Sequence, residues 1–466
     1  MAELVLPRVV FAPASPGALT LTEARLALVS WLLARKAGGC LVLRLDDFAG
    51  AAHDGAARLQ SDLTWLGLNA DEGPERGGPF GPYNQAARHE LYAHFAGKLL
   101  REQTAFYCFC GPSSGERCVS GCDRLAPPRV EELRRKGRSS VLRLRGHAGE
   151  IVVEDLLRGR VAVRAENAGD PVLVTAKGDP SPELRAAVDD ALMLITHVVR
   201  DEGALLFTLR QLLICRALDW DLPHVAHLPS IRPGPQGGPA QASQLTIEAL
   251  RQEGYLPGTV LGFIAHLTGM DSAGLMVDSA QELLPLFAPK GLGLEPQVLD
   301  LEVLRATSRR RLGLLRDDEL RAALRPLLAR SGLQEHDPRL PQLLQLFREQ
   351  VATVGELAQK LSLFGKDPAP VIDRAAVMYL RRESSQKVLW SVVRQLRSLA
   401  RLDEEVFTGL MDAVRREIGI MGRDLWAPVR IALTGEADGP PLPKIVALLG
   451  KDAVVKLIER SLREQA

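Results

Sequence analysis

Along the first fifty positions the spacing of apolar residues changes twice. Val9–Phe11 is a short apolar run, Thr22–Lys36 carries apolar residues at helical spacing, and Cys40–Leu45 is apolar again. The pattern predicts strand, amphipathic helix, strand. Pro13, Pro16 and Gly17 interrupt the chain before the helix, and Gly38-Gly39 stops it. This is a βαβ unit. In open parallel sheets ligands sit where a strand's carboxyl end meets a helix amino end, because unpaired N–H groups and the helix dipole favour anions there. The loop Pro13–Leu21 occupies that position.

Further on, Asp54–Leu68 reads as a helix, Asp71–Pro82 as a Gly/Pro-rich loop, and Gln85–Glu102 as a helix with Leu91, Phe95, Leu99 and Leu100 on its apolar side. Strand-like stretches follow at Ala105–Cys110, Val141–Leu144, Gly149–Val153, Asp155–Gly159 and Pro171–Thr175. Pro223–Pro229 is again strand-like after a helix over Leu205–Ala217. From Thr246 onward helical periodicity dominates, through Pro341–Gln350, Thr353–Leu363, Arg374–Ser384, Gln386–Leu399 and Asp403–Ile418.

Composition narrows the class. At 466 residues the chain is long enough for about two to four domains. Hydrophobic content is 46%, charged content 25% and formal net charge +1, so any nucleic-acid contact must come from local basic patches. No apolar run reaches about 18 residues and no basic n-region precedes an apolar segment, so neither a membrane span nor a signal peptide is expected and the location expected is cytoplasmic. Four of the six cysteines are Cys108, Cys110, Cys118 and Cys122. In a reducing compartment such a cluster suggests metal rather than disulfides, and four thiolates suit tetrahedral zinc. The alternative is four reduced cysteines in a loop.

The opening stretch, with Phe11-Ala12-Pro13, Gly17, Leu19, Ala24-Arg25, Trp31, Ala34-Arg35-Lys36, Gly39 and Leu43-Arg44, resembles the start of bacterial glutamyl-tRNA synthetases (R-F-A-P-S-P-T-G-x-L-H-I-G-x-A-R, then L-R-I-E-D-T-D). Trp65-Leu66-Gly67-Leu68, Val188-Asp189-Asp190 with Met193, Ile195-Thr196-His197-Val198 with Arg200, His227-Leu228-Pro229, Glu253-Gly254-Tyr255-Leu256-Pro257 and Ala432-Leu433-Thr434-Gly435 with Leu449-Gly450-Lys451 extend the resemblance over essentially the whole chain. It implies an α/β fold: a Rossmann-type class I synthetase catalytic domain with an inserted α+β domain, then all-helical stem-contact and anticodon-binding domains. The boundaries expected are 1–84 and 186–240 for the two halves of the nucleotide domain, 85–185 for the insertion with the cysteine cluster, 241–327 for the stem-contact domain and 328–466 for the anticodon-binding domain. The stretches between Val141 and Thr175 are assigned to the insertion. Some members carry zinc at a C-x-C knuckle with a distal element, which supports structural zinc on Cys108, Cys110, Cys118 and Cys122.

The chemistry-bearing motifs depart from the family. Where it has its H-I-G-H-like tetrad this chain has Thr20-Leu21-Thr22-Glu23, a capping box whose carboxylate repels phosphate. The lysine loop of K-L-S-K type is replaced by Gly234–Ser243, with no lysine between Lys177 and Lys290. These changes count against ATP. The arginine that pairs with the glutamate side chain falls on Val10, the serine of A-P-S-P on Ala14, and the tyrosine and asparagine of T-Y-N on Pro182 and Glu183. Only Asp46, on the acidic position that holds the amino group, and Arg200 persist. His197 taken alone reads as a structural histidine.

The favoured reading is a tRNA-binding paralogue, expected to be monomeric, with lost or strongly attenuated aminoacylation. The alternatives are an active ligase for glutamate or another substrate, and a protein-interaction scaffold. Arg374, Arg381, Arg382, Arg394 and Arg397 read equally as solvated helix faces or phosphate contacts.

Overall fold

The structure is a computed structural model that describes residues 6–13, 17–47, 53–110, 117–234, 244–270, 276–366, 368 and 370–464. Contacts divide the chain into two compact units, residues 1–250 with 257–301, and residues 251–256 with 302–466.

The first unit is built on a six-stranded sheet. Its strands are β1 (Arg8–Phe11), β2 (Cys40–Leu43), β5 (Glu150–Asp155), β6 (Gly159–Arg164), β8 (His197–Asp201) and β9 (His224–Leu228), in the order β2-β1-β8-β9-β5-β6. All neighbours are parallel except β5 and β6, which form an antiparallel pair at one edge. Val9, Val10 and Phe11 of β1 and Leu41, Val42 and Leu43 of β2 are buried without alternation, as expected where both faces are covered. Helix α1 (Leu21–Lys36) links β1 to β2 and buries residues around most of its circumference, from Ala24 and Leu28 to Val29 and Trp31. Gly39 closes the unit: a Cβ there would lie 2.0 Å from the Pro7 carbonyl oxygen, so only glycine lets the backbones meet. Because β2 lies on one side of β1 and β8 on the other, the strand order reverses between β1 and β8, and the carboxyl ends of these two strands mark the place where open α/β sheets have their ligand crevice.

A second sheet of three antiparallel strands, β3 (Ala105–Cys108), β4 (Val141–Leu144) and β7 (Val172–Val174), carries the cysteine segment. The stretches at Gly149–Val153 and Asp155–Gly159 are therefore corrected: they contribute β5 and the start of β6 to the main sheet. Asp155 shows why. Its Oδ2 accepts the His227 backbone N–H at 3.0 Å and the His227 ring nitrogen at 2.6 Å, and its Oδ1 caps Leu157 N and Arg158 N at 2.9 Å each. One carboxylate thus ties the hairpin turn to β9.

The helix expected at Gln85–Glu102 is a short 3₁₀ turn, Gln85–Arg88, followed by α3 (His89–Arg101). Its buried side is Tyr92, Ala96 and Leu99, whereas Leu91 is 37% exposed. The helix is turned by about one residue because the Tyr92 hydroxyl reaches the buried Asp189.

The second unit is helical. Its core gathers Leu320, Leu343, Leu357, Val388, Phe407 and Leu457 from six different helices. Among the described residues no helix is long and apolar enough to cross a membrane.

Candidate functional site

At this place an anion would meet the amino end of α1. Thr20 Oγ1 accepts Glu23 N–H at 3.2 Å, and Glu23 Oε2 accepts Thr20 N–H at 3.1 Å and the Thr20 hydroxyl at 2.8 Å. The capping box expected at these positions is formed. Leu21 N–H donates to the Leu245 carbonyl at 2.8 Å, and Ile247 N–H returns to the Leu19 carbonyl at 2.8 Å. Leu21 is buried, while Thr22 and Glu23 are half-buried. Three of the donors an anion would use here, the N–H groups of Thr20, Leu21 and Glu23, are occupied by the chain's own oxygens, and a carboxylate sits in the first turn. Ala14 and residues 235–243, most of the segment replacing the lysine loop, lie outside the described residues.

Arg25, quoted above only for its register, is completely buried one turn further along. Its guanidinium donates to the Pro229 carbonyl at 2.7 Å and to Asp201 at 3.1 Å. It thereby braces the ends of β8 and β9 against α1. Burial lowers its pKa, opposed by Asp201 and Glu202.

Below the crevice a polar network runs between α5 (Pro182–Leu192) and α6 (Leu205–Ala217). Asp189 accepts Gln85 Nε2 at 2.7 Å, Arg88 Nε at 2.7 Å and the Tyr92 hydroxyl at 2.9 Å. Burial, and then Asp189, pushes the Tyr92 phenol up. Asp190 accepts Arg44 Nη1 and Gln211 Nε2, both at 2.6 Å. Both aspartates are buried, so their charges need these donors. The Val188-Asp189-Asp190 signature is thus a structural hub.

The two residues expected to persist from the amino-acid pocket are held differently. Arg200 donates to Thr208 Oγ1 at 2.7 Å and to Gln211 Oε1 at 2.6 Å, and lies 4.7 Å from the Phe207 ring centroid. Burial pushes its pKa down to about 10, against the pull of Asp190. Thr208 in turn bonds His227 Nε2 at 2.9 Å, whose other ring nitrogen meets Asp155. Asp46 is paired with Arg185, Nη2 to Oδ2 at 2.5 Å. No reading of the sequence singled out Arg185; its only signal is a charge among the buried positions of α5. Val10, on the position of the lost clamp arginine, is 1% exposed and belongs to the core that includes Val42 and Val198. Pro182 and Glu183 start α5 behind the cap Ser181, and Glu183 faces Arg210 at 3.6 Å. His197 is half-buried, with its Nδ1 2.8 Å from Thr196 Oγ1. Burial, and then His224, lowers its pKa.

The four cysteines converge. One sulfur from each of Cys108, Cys110, Cys118 and Cys122 lies within 4.8 Å of the others, and Cys110 is 3.7 Å from both Cys118 and Cys122. A tetrahedron with zinc–sulfur bonds of about 2.3 Å has sulfurs about 3.8 Å apart. Backbone N–H groups also point at the sulfurs, Phe109 N to Cys122 at 3.4 Å and Cys122 N to Cys118 at 3.2 Å. All four are free thiols. The residues fit a closed structural zinc site, which would cross-link the end of β3 to the 3₁₀ turn Cys122–Arg124.

In the helical unit, two of the arginines considered for phosphate are engaged internally. Arg394 pairs with Glu417, and Arg397 with Glu459 at 2.6 Å. Arg382 lies 4.6 Å from the Tyr379 ring centroid.

Comparison with known proteins follows the same division. Residues 7–287 match the family described as tRNA synthetases class I (E and Q), catalytic domain, and residues 319–462 match the anticodon binding domain. The chain is 30% identical to glutamate–tRNA ligase 2 of Caldanaerobacter subterraneus, with 98% of each chain covered. It is 31% identical to the glutamate–tRNA ligase of Carboxydothermus hydrogenoformans, over 95% of this chain and 97% of that one. A crystal structure of a glutamate–tRNA ligase from Elizabethkingia meningosepticum in complex with its amino acid shares the fold, with a TM-score of 0.72, 22% identity and coverage of 99% and 100%.

Proposed function

Because the chain belongs to the class I tRNA synthetases of the glutamate and glutamine branch, we propose that it is a tRNA-binding member of that family with lost or strongly attenuated amino-acid activation. The observation that carries this reading is the closed amino end of α1, where Thr20, Glu23 and the Leu245 carbonyl take the place a phosphate would need. Two further features support it. Asp46 is neutralised by Arg185, and Val10 supplies no charge for a carboxylate side chain. Arg200 donates to the neutral Thr208 and Gln211, which leaves its charge to hold an anionic group. The helical unit supplies the tRNA contact, Cys108, Cys110, Cys118 and Cys122 hold a structural zinc, and the protein acts as a cytoplasmic monomer.

A second reading, an active glutamate–tRNA ligase that reaches ATP by other residues, is favoured by the nearly full-length similarity to proteins of that name. Glutamate-dependent pyrophosphate exchange separates the two. Exchange by the purified protein would establish the ligase. Its absence, together with salt-dependent tRNA binding, supports the proposal. Absence of both would leave a protein-interaction scaffold.

A further inference from the structure

We infer that Arg185 sets the specificity of the crevice, its guanidinium standing where a ligand's primary ammonium group would otherwise meet Asp46. The inference rests on the reading of Asp46 and Arg200 as the surviving pocket residues.

Three contacts orient the arginine. Nε donates to Gln85 Oε1 at 3.2 Å, Nη1 to the Pro180 carbonyl at 3.1 Å, and Nη2 to Asp46 Oδ2 at 2.5 Å. Every guanidinium nitrogen is engaged and the fork is planar, so its direction is fixed from behind. Gln85 is itself held by the buried Asp189. The Arg185 side chain is 8% exposed and that of Asp46 is 27% exposed. The carboxylate is therefore the more solvent-exposed partner, while the cation covering it comes from the protein interior. An incoming ammonium must compete with a charge that is already in place and pays no cost of association. A ligand that brings a carboxylate but no ammonium meets no such competitor. Arg185 thus biases the crevice against free α-amino acids and leaves carboxylates without an amino group unaffected.

The opposite role for a cation in this place is that of a clamp for a ligand's carboxylate, replacing the charge absent at Val10. The two roles predict opposite signs. Binding of L-glutamate and of glutarate, which has the same two carboxylates without the ammonium, is measured by calorimetry on the full chain and on Arg185→Ala. The expected result is at least a tenfold gain in L-glutamate affinity with glutarate changed less than threefold, and loss of the gain when Asp46→Asn is added. Arg185→Lys, which keeps a cation, should behave as the parent. Arg185→Gln retains hydrogen-bonding capacity toward Gln85 and carries the same expectation if the alanine variant does not fold. No gain for glutamate, or loss of both ligands, would overturn the inference. Pyrophosphate exchange by the parent tests the proposed loss of activation separately, because that result does not depend on Arg185.

Discussion

Thr20 and Glu23 illustrate how two side chains can change the use of a helix end. Their mutual hydrogen bonds satisfy donors that would otherwise face a ligand. Replacing both by histidine removes the repelling carboxylate and offers imidazoles, yet Val10 and the Arg185–Asp46 pair remain. Groups that act as a unit are strongly non-additive. Thr20→His with Glu23→His is expected to show no detectable glutamate-dependent exchange, and measurable exchange by this variant would contradict the account. The loss of the cap should also lower stability by about 1 kcal/mol, read as a shift in the urea midpoint.

Acid sensitivity at the residue scale is expected from Glu72, which accepts Arg8 Nη1 at 2.7 Å and the Tyr83 hydroxyl at 2.6 Å. The Arg8 hydrogen bond, with burial opposing, holds the carboxyl below its usual 4.5. A depressed carboxylate pKa stabilises the fold fully above the unfolded value and loses that contribution as pH falls through the folded one. Glu72→Gln should therefore cost on the order of 1–2 kcal/mol at pH 7 and nearly nothing well below the folded pKa. A constant difference between parent and variant in denaturation curves across that range would refute the sign.

The element that stands or falls as a unit is the cysteine knuckle. Phe106, Cys108 and Cys122 form its small buried cluster, too small to hold a loop by burial alone. Purified protein is expected to carry about one zinc per chain. Cys110→Ser should lose the metal, and chelation of the parent should raise hydrogen exchange in β3 and in the 3₁₀ turn Cys122–Arg124 while leaving α1 protected. Metal-free protein with unchanged exchange would remove the case for zinc. The element scale also explains which strands were legible. Val141–Leu144 and Glu150–Asp155 both carry β-branched or aliphatic residues at strand spacing, so the local pattern identifies each as a strand. Sheet membership depends on the partner, and Asp155 meets His227, 72 positions away.

Across the whole molecule, tRNA binding is the property that the proposal retains. Formal net charge is only +1, and ion pairs such as Arg397–Glu459 lie on the helical unit's surface. Exposed pairs are weak, so their arginines can exchange carboxylate for phosphate at small cost. Binding should fall steeply with salt, with a slope that reports the number of phosphates contacted. Arg381→Ala with Arg382→Ala is expected to reduce that slope by about one to two. Salt-independent binding would point away from a phosphate-dominated interface.

What neighbours along the chain decide could be read from residue order. Period and breakers specify β1, α1 and β2, because each is set by residues within a few turns. The capping box was legible because Thr20 and Glu23 are three apart, and the cysteine cluster because all four thiols fall within fifteen positions. The tertiary structure alone decided that Leu91 faces out while Tyr92 faces in, that β5 and β6 extend the main sheet, and that Arg185 covers Asp46, 139 residues away. A contact over that separation has no local propensity to announce it. It exists because the packing of α5 against α3 and α6, summed over many apolar contacts, brings two charges within 2.5 Å, where their pairing offsets the cost of leaving water.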